Sequence, residues 1–265
     1  MKFTVYAPFY TDKSGGHWVL HFLCDQLNKL GHQATINFFE GHTGVNPEFN
    51  TPIGHDPEAI VIYPEVITDN PLKAEKVIRY LLNKEAVMQG KMIEWGKTDF
   101  PLAFSKAYRS DCDTLFYANT DTNIFKNMGL DRTYNSYYIG KGRQYAHCDE
   151  LPGCVEITRT FPARKEDLAI ILNQSKILFT YDTVSAINLD AVLCGAMPFF
   201  MMKPFEWLKD NEYGKFWIES LDPVEVAQVK EHNLTLPAMV KDNQKTFPER
   251  LARMVNKIQL HFNKI

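Results

Sequence analysis

Short apolar runs alternate along this chain with stretches whose apolar residues recur at helical spacing, and polar Gly- and Pro-containing segments separate them. Residues 2–9, KFTVYAPF, read as a buried strand. After the loop YTDKSGG, residues 17–30 place Trp18, Val19, Phe22, Leu23, Leu27 and Leu30 on one helical face, and Gly31 stops the helix. Residues 34–39 are a second strand, so the first thirty-nine residues form a strand–loop–helix–strand unit. Residues 41–58 are polar and read as loop, and residues 58–63 as a strand. Asn70-Pro71 is expected to open a helix over 73–82, with Ala74, Val77, Ile78, Leu81 and Leu82 inward. Residues 91–95 and 113–118 read as further short strands.

The polar stretch 119–134 suggests a domain boundary, which divides the chain into 1–130 and 131–265. The second half opens with a strand at 136–140, SYYIG, and a second strand follows at 154–159. A helix is expected over 165–175, then a strand over 176–180, a helix carrying Asp190 and closed by Gly195, and a strand from Met197. Residues 204–209 and 223–231 read as helical. Pro248 at a first helical position predicts a last amphipathic helix over 249–262, which could pack back on the first domain. Strands alternating with helices predict an α/β protein with parallel sheets, here two Rossmann-like domains.

Composition narrows the function. Apolar residues at 45% and charged residues at 23% are ordinary for a globular protein. A net charge of −3 argues against general affinity for nucleic acid or anionic membrane. Five cysteines without a C-x-x-C spacing predict reduced thiols and no disulfide framework or zinc ribbon, hence a cytoplasmic setting. The cluster of His147, Cys148 and Cys154 fits no standard zinc spacing. His17 and His21 are helically spaced but lack a third ligand, and His32, His42 and His55 add no metal pattern. Residues 1–6 are not expected to be a signal peptide, and no run is long enough for a membrane span.

The chemistry concentrates in FTYDTVSAINLDAVLCGAMPFF, residues 179–200. A strand ends, Asp182 follows, then Thr183 and Ser185, then a helix with Asp190. Ligands of open α/β sheets bind beyond the carboxyl ends of strands, where helix N-termini favour phosphate. An acid at such a place is either an N-cap or a partner for sugar hydroxyls. Earlier in the chain, Gly15 and Gly16 let a backbone or ligand approach closely or simply begin a helix; the G-x-G-x-x-G fingerprint is absent. Glu65 after Tyr63-Pro64 is either an exposed loop acid or a group facing a ligand.

Several of these pieces together resemble GT-B glycosyltransferases, most closely the retaining family with two acids separated by seven residues. Asp182 and Asp190 have that spacing, and the run from Asp190-Ala191 through Gly195 to Pro198 is similar to the family's second motif. Ser14-Gly15-Gly16 with its helix ending in Gly31-His32, and Tyr63-Pro64-Glu65 with Asn70-Pro71, look like two further segments. This chain departs in having Asp at both signature positions, Pro198 one place late, and little length for two full domains.

The resemblance implies two domains facing across a cleft and sugar transfer from a uridine- or guanosine-diphosphate donor to a glycan or lipid-linked acceptor, with retention. No resident cofactor or metal is implied, because no D-x-D triplet ends a strand. Gly15, Gly16, Thr183, Ser185 and Asp190 would contact the donor, with Asp190 on the ribose, and Asp182 would bind sugar hydroxyls. Lys141 and Arg143 would neutralise the leaving diphosphate, with Arg159 and Lys165 in reserve, while Glu65 and His17 would sit on the acceptor side. Peripheral membrane contact fits a lipid-linked acceptor, and nucleic acid is not an expected partner. Within the same fold an epimerase or an inverting transferase stays open, as does a non-catalytic sugar-binding protein.

Overall fold

The computed structural model describes every residue except Asp12, Lys13, Glu40, His42, 147–150 and Ile265, and leaves aside the side chains of Gln144 and Tyr145. The chain divides into two units: Met1–Tyr117 with Asn243–Ile265, and Ala118–Asp242.

In the first unit, β1 (Lys2–Ala7), β2 (Gln33–Phe38), β3 (Ile60–Pro64), β4 (Val77–Leu81), β5 (Phe100–Ala103) and β6 (Asp113–Thr114) form one sheet. Its order is β2-β1-β3-β4-β5-β6, and every pairing is parallel. Helix α1 (Gly15–Lys29) makes the crossover from β1 to β2, and Gly31, at φ +85°, turns the chain back toward the sheet. The core gathers Phe3, Val5, Leu20, Leu23, Ile36 and Ile62. Trp18, Phe22, Tyr117 and Phe247 stack beside them, with Phe22 and Tyr117 ring centroids 4.3 Å apart.

Three expectations for this unit are corrected. Val77–Leu81 is a strand, not part of a helix, and all five of its residues are buried. An interior strand of a parallel sheet is covered on both faces, so its unbroken apolar run imitates a helical face at short range. Arg79 belongs there because its charge is met. Nε donates to Asp99 Oδ2 at 2.9 Å, Nη1 donates to the carbonyls of Ile67 and Asp69, and the guanidinium lies over the Tyr63 ring. Residues 91–95 are not a strand but part of a loop, in which the Ile93 N–H donates to Glu85. The strand expected over 113–118 is confined to Asp113–Thr114, and β5, carrying Pro101, was not foreseen.

In the second unit, β7 (Tyr134–Tyr138), β8 (Cys154–Ile157), β9 (Ser175–Thr180) and β10 (Met197–Phe200) run parallel in the order β10-β9-β7-β8. Helices α2 (Lys165–Gln174) and α3 (Ile187–Leu193) supply the crossovers. Arg132 donates to the carbonyls of Ser175 (2.7 Å) and Cys194 (2.8 Å), satisfying acceptors that the ends of α2 and α3 leave open. Asp222 caps α4 (Pro223–Asn233) through Val224 N, with Pro223 in the first turn. Phe200 stacks on the fully buried Trp217 at 4.8 Å.

The last helix, α5, runs Leu236–Phe262, so Pro248 lies inside it and not at its start. Its buried seam, Leu236, Val240, Phe247, Leu251, Val255, Ile258 and Phe262, continues through the proline. The missing N–H costs one backbone bond. Nearby, Arg250 donates to the carbonyls of Asn243 and Phe116, both at 2.8 Å, and so anchors this part of the helix from its side.

Arg79→Met leaves the nearly buried Asp99 carboxylate without its cation and should cost about 3–5 kcal/mol. Urea unfolding checks this; a loss below about 1 kcal/mol would show that the pair contributes little.

Candidate functional site

The four parallel strands of the second unit end on one edge, and two turns meet there. After β7 the chain enters a 3-10 turn over Gly140–Tyr145. Gly140 has φ +53°, and a Cβ on it would lie 2.7 Å from Asp182 Oδ2. A Cβ on Gly142 would run into the carbonyl oxygen of Tyr181. Both glycines are therefore needed for this turn to lie against the turn after β9. The Lys141 N–H donates to Asp182 Oδ2 at 3.0 Å, and Tyr181 N donates to Tyr138 O at 3.0 Å. Asp182 is held in turn: its N–H donates to Thr180 Oγ1, and its carbonyl accepts from Asn188 Nδ2 at 2.9 Å. Asp182 does not cap α3, whose N-cap residue is Ala186. Its carboxylate is buried as a tie between turns, with Thr183 buried and Ser185 half-buried beside it.

A cavity of 140 Å³ opens beside this tie, between the ends of β7 and β8. Gly140, Arg143, Glu156, Thr158 and Arg159 are on its wall. Sites for drug-sized ligands measure about 300–1,000 Å³, so this recess suits one group, of the size of a phosphate or part of a sugar. Among the described residues its wall carries two guanidiniums and one carboxylate, and guanidiniums match phosphate oxygens bidentately. Lys141 contributes its backbone to the turn and keeps its side chain exposed; Lys165 opens α2, away from this wall.

Asp190 sits elsewhere on α3. It is buried, its Oδ1 accepts from Thr120 Oγ1 at 2.6 Å, and burial pushes its pKa up to about 7 against the pull of Thr120 and Lys165. Nothing in the local sequence points to this partner, seventy residues away.

The strand ends of the first unit carry the other candidates. Gly15 and Gly16 are the first two residues of α1, and a Cβ on either would meet no tight contact. His17 Nδ1 lies 2.8 Å from the Phe9 carbonyl, and His21 Nε2 2.9 Å from that of Pro8. Glu65 is buried, not an exposed loop acid: its Oε2 accepts the Leu82 N–H at 2.9 Å, joining the ends of β3 and β4.

Among the described residues no group of three or more His, Cys, Asp or Glu is placed to hold a metal ion. His42, His147 and Cys148 lie outside the described residues. The four described cysteines are free, and burial raises the Cys24 and Cys194 thiols to about 12, far from a nucleophile's range. No described helix is long and apolar enough to cross a membrane.

No family model matches the sequence. No curated protein matches it. Among solved structures the chain is similar to the spinosyn rhamnosyltransferase SpnG complexed with thymidine diphosphate, at 10% identity and TM-score 0.46, over 97% of this chain and 100% of that one. It is also similar to T4 phage BGT in complex with UDP-glucose, at 10% identity and TM-score 0.45, over 100% and 98%. A third is sucrose-phosphate synthase from Thermosynechococcus elongatus, at 11% identity and TM-score 0.41, over 99% and 97%. The two parallel α/β units rest on the strand order and register given above.

Two predictions follow from this geometry. Gly142→Ala should break the contact between the turns and lower the thermal midpoint; an unchanged midpoint would mean that the turn can move away freely. Asp190 has a folded pKa of about 7 against 3.8 in a free chain, so the folded state holds its proton more tightly. Its contribution to stability is complete below pH 4 and is lost as pH rises toward 7, by roughly 4 kcal/mol. Asp190→Asn should remove this loss, making the variant the more stable protein at pH 8 by urea unfolding but not at pH 4.

Proposed function

We propose that the chain is a glycosyltransferase that moves a hexose from a uridine- or guanosine-diphosphate donor to a glycan or lipid-linked acceptor. Transfer proceeds with retention and without a metal ion. The observation that carries this reading is the arginine-lined recess at the carboxyl edge of the second sheet, where Arg143 and Arg159 share a wall with the glycine turn. That edge is where a parallel α/β sheet receives its ligand.

In this reading the donor diphosphate enters the recess and takes hydrogen bonds from the two guanidiniums. Negative charge grows on the leaving phosphate oxygen as the sugar–oxygen bond breaks, and cations fixed beforehand stabilise that charge without having to reorganise. Lys141 adds charge from the exposed side of the same turn. Asp182 holds the Gly140–Gly142 backbone and offers its carboxylate to sugar hydroxyls. Thr183 and Ser185 supply hydroxyl and N–H groups to the diphosphate. Asp190 reaches a ribose hydroxyl only by giving up Thr120. Gly15 and Gly16 leave room at the start of α1 for the donor, and His17 and Glu65, at the edge of the first sheet, serve the acceptor.

A panel of nucleotides and nucleotide sugars tested by thermal shift decides the matter. A true donor at about a hundred times its Kd adds ~2.7 kcal/mol of stability. The Arg143→Gln, Arg159→Gln double variant should lose that shift while keeping its midpoint without ligand. Transfer should survive EDTA, and NMR should show the donor's anomeric configuration retained. No response to any nucleotide would overturn the assignment, and activity restored only by manganese or magnesium would overturn metal independence.

A further inference from the structure

In the first unit, the loop from Lys84 to Lys97 leaves the carboxyl end of β4 with three large apolar side chains in water. Val87 is 45% exposed, Met88 54% and Met92 64%, all within six consecutive positions. Single exposed apolar residues are commonplace, but a concentration of them in one loop is not. The loop is also built, not slack. Ala86 takes φ +65°, and Gly90 N donates back to Ala86 O at 2.9 Å. The Gln89 side chain donates to the Glu65 carbonyl at 2.6 Å, and Glu85 Oε2 accepts from Ile93 N and Trp95 Nε1. These bonds pin the loop from inside while Val87, Met88 and Met92 stay out.

Its charges are sorted in the same way. Glu85 is turned inward, against Arg109 and Trp95. Lys84, Lys91 and Lys97 are exposed, and the loop's one exposed acid is Glu94. A chain of net charge −3 thus carries a locally basic, apolar-tipped loop. Unbranched methionines settle into an irregular apolar medium, and lysines extend their ammonium groups to its polar boundary.

We propose that this loop is a docking surface for an anionic lipid bilayer, with Val87, Met88 and Met92 entering the headgroup region and the three lysines on anionic headgroups. The proposal does not depend on the transfer reaction, because lipid binding is measured without donor or acceptor. Co-sedimentation of the full chain with phosphatidylcholine vesicles, with and without phosphatidylglycerol, tests it. The chain should partition onto the phosphatidylglycerol vesicles and detach as salt rises. Lys84→Gln, Lys91→Gln, Lys97→Gln together should weaken partitioning about a hundredfold. Met88→Ser with Met92→Ser should weaken it about tenfold. Both variants should keep the parent's unfolding midpoint, because the changed side chains are exposed. No sedimentation, or variants that bind like the parent, would overturn the proposal. So would light scattering that shows a dimer abolished by the methionine substitutions, which would assign the loop to a second copy of the chain.

Discussion

Close approach of two backbones governs the carboxyl edge of the second unit's sheet. The turn after β7 lies so near Tyr181 that only a residue without a side chain fits at position 142. Once that contact is made, the Lys141 N–H meets the Asp182 carboxylate, and Arg143 emerges on the wall of the recess. Guanidinium recognition of an anion is directional, and its worth depends on how little the cation must move. Here the base of one arginine is set by a backbone contact and that of the other by its place just past a strand end.

The two aspartates of the stretch 179–200 differ in what surrounds them. Asp182 accepts a backbone N–H and ties one turn to another. Asp190 meets a hydroxyl and little else, and burial holds its proton into the neutral range. Identical side chains eight positions apart thus do different work: one fixes a shape, the other is sensitive to pH. Spacing alone does not distinguish them, since the difference comes from Thr120 and from packing.

How much could be read from the residues follows the reach of each interaction. The β1–α1–β2 unit was legible because periodicity, the glycine stop and the apolar strands are all local. So were the parallel α/β class and most elements of the second unit. The β4 strand was not, because the burial of Arg79 depends on Asp99, twenty positions on, and a doubly covered strand has no polar face to betray it. Pro248 misled in the opposite way: its local rule is to begin a helix, whereas the seam from Leu236 carries the helix through it. At the site, Arg143 was visible as a cation after a strand. The need for Gly142 was not, since the atoms that demand it belong to Tyr181, thirty-nine positions later, and Gly140 answers to Asp182 as well as to the nearby Tyr138 ring. A glycine on each side of Lys141 at a strand's carboxyl end was the available signal.

The first unit is made from both ends of the chain, with the whole second unit between them. Its core includes Phe247, Leu251, Met254, Val255, Ile258 and Phe262. A ribosome delivers β1 through β6 early and these six residues last, so the half that starts first finishes second. Until α5 arrives, the apolar groups beneath it wait without their cover, while the inserted half already has everything its own sheet requires. For this architecture the order of synthesis and the order of completion are reversed, and the nascent first sheet depends on shelter that its own sequence supplies only at the end.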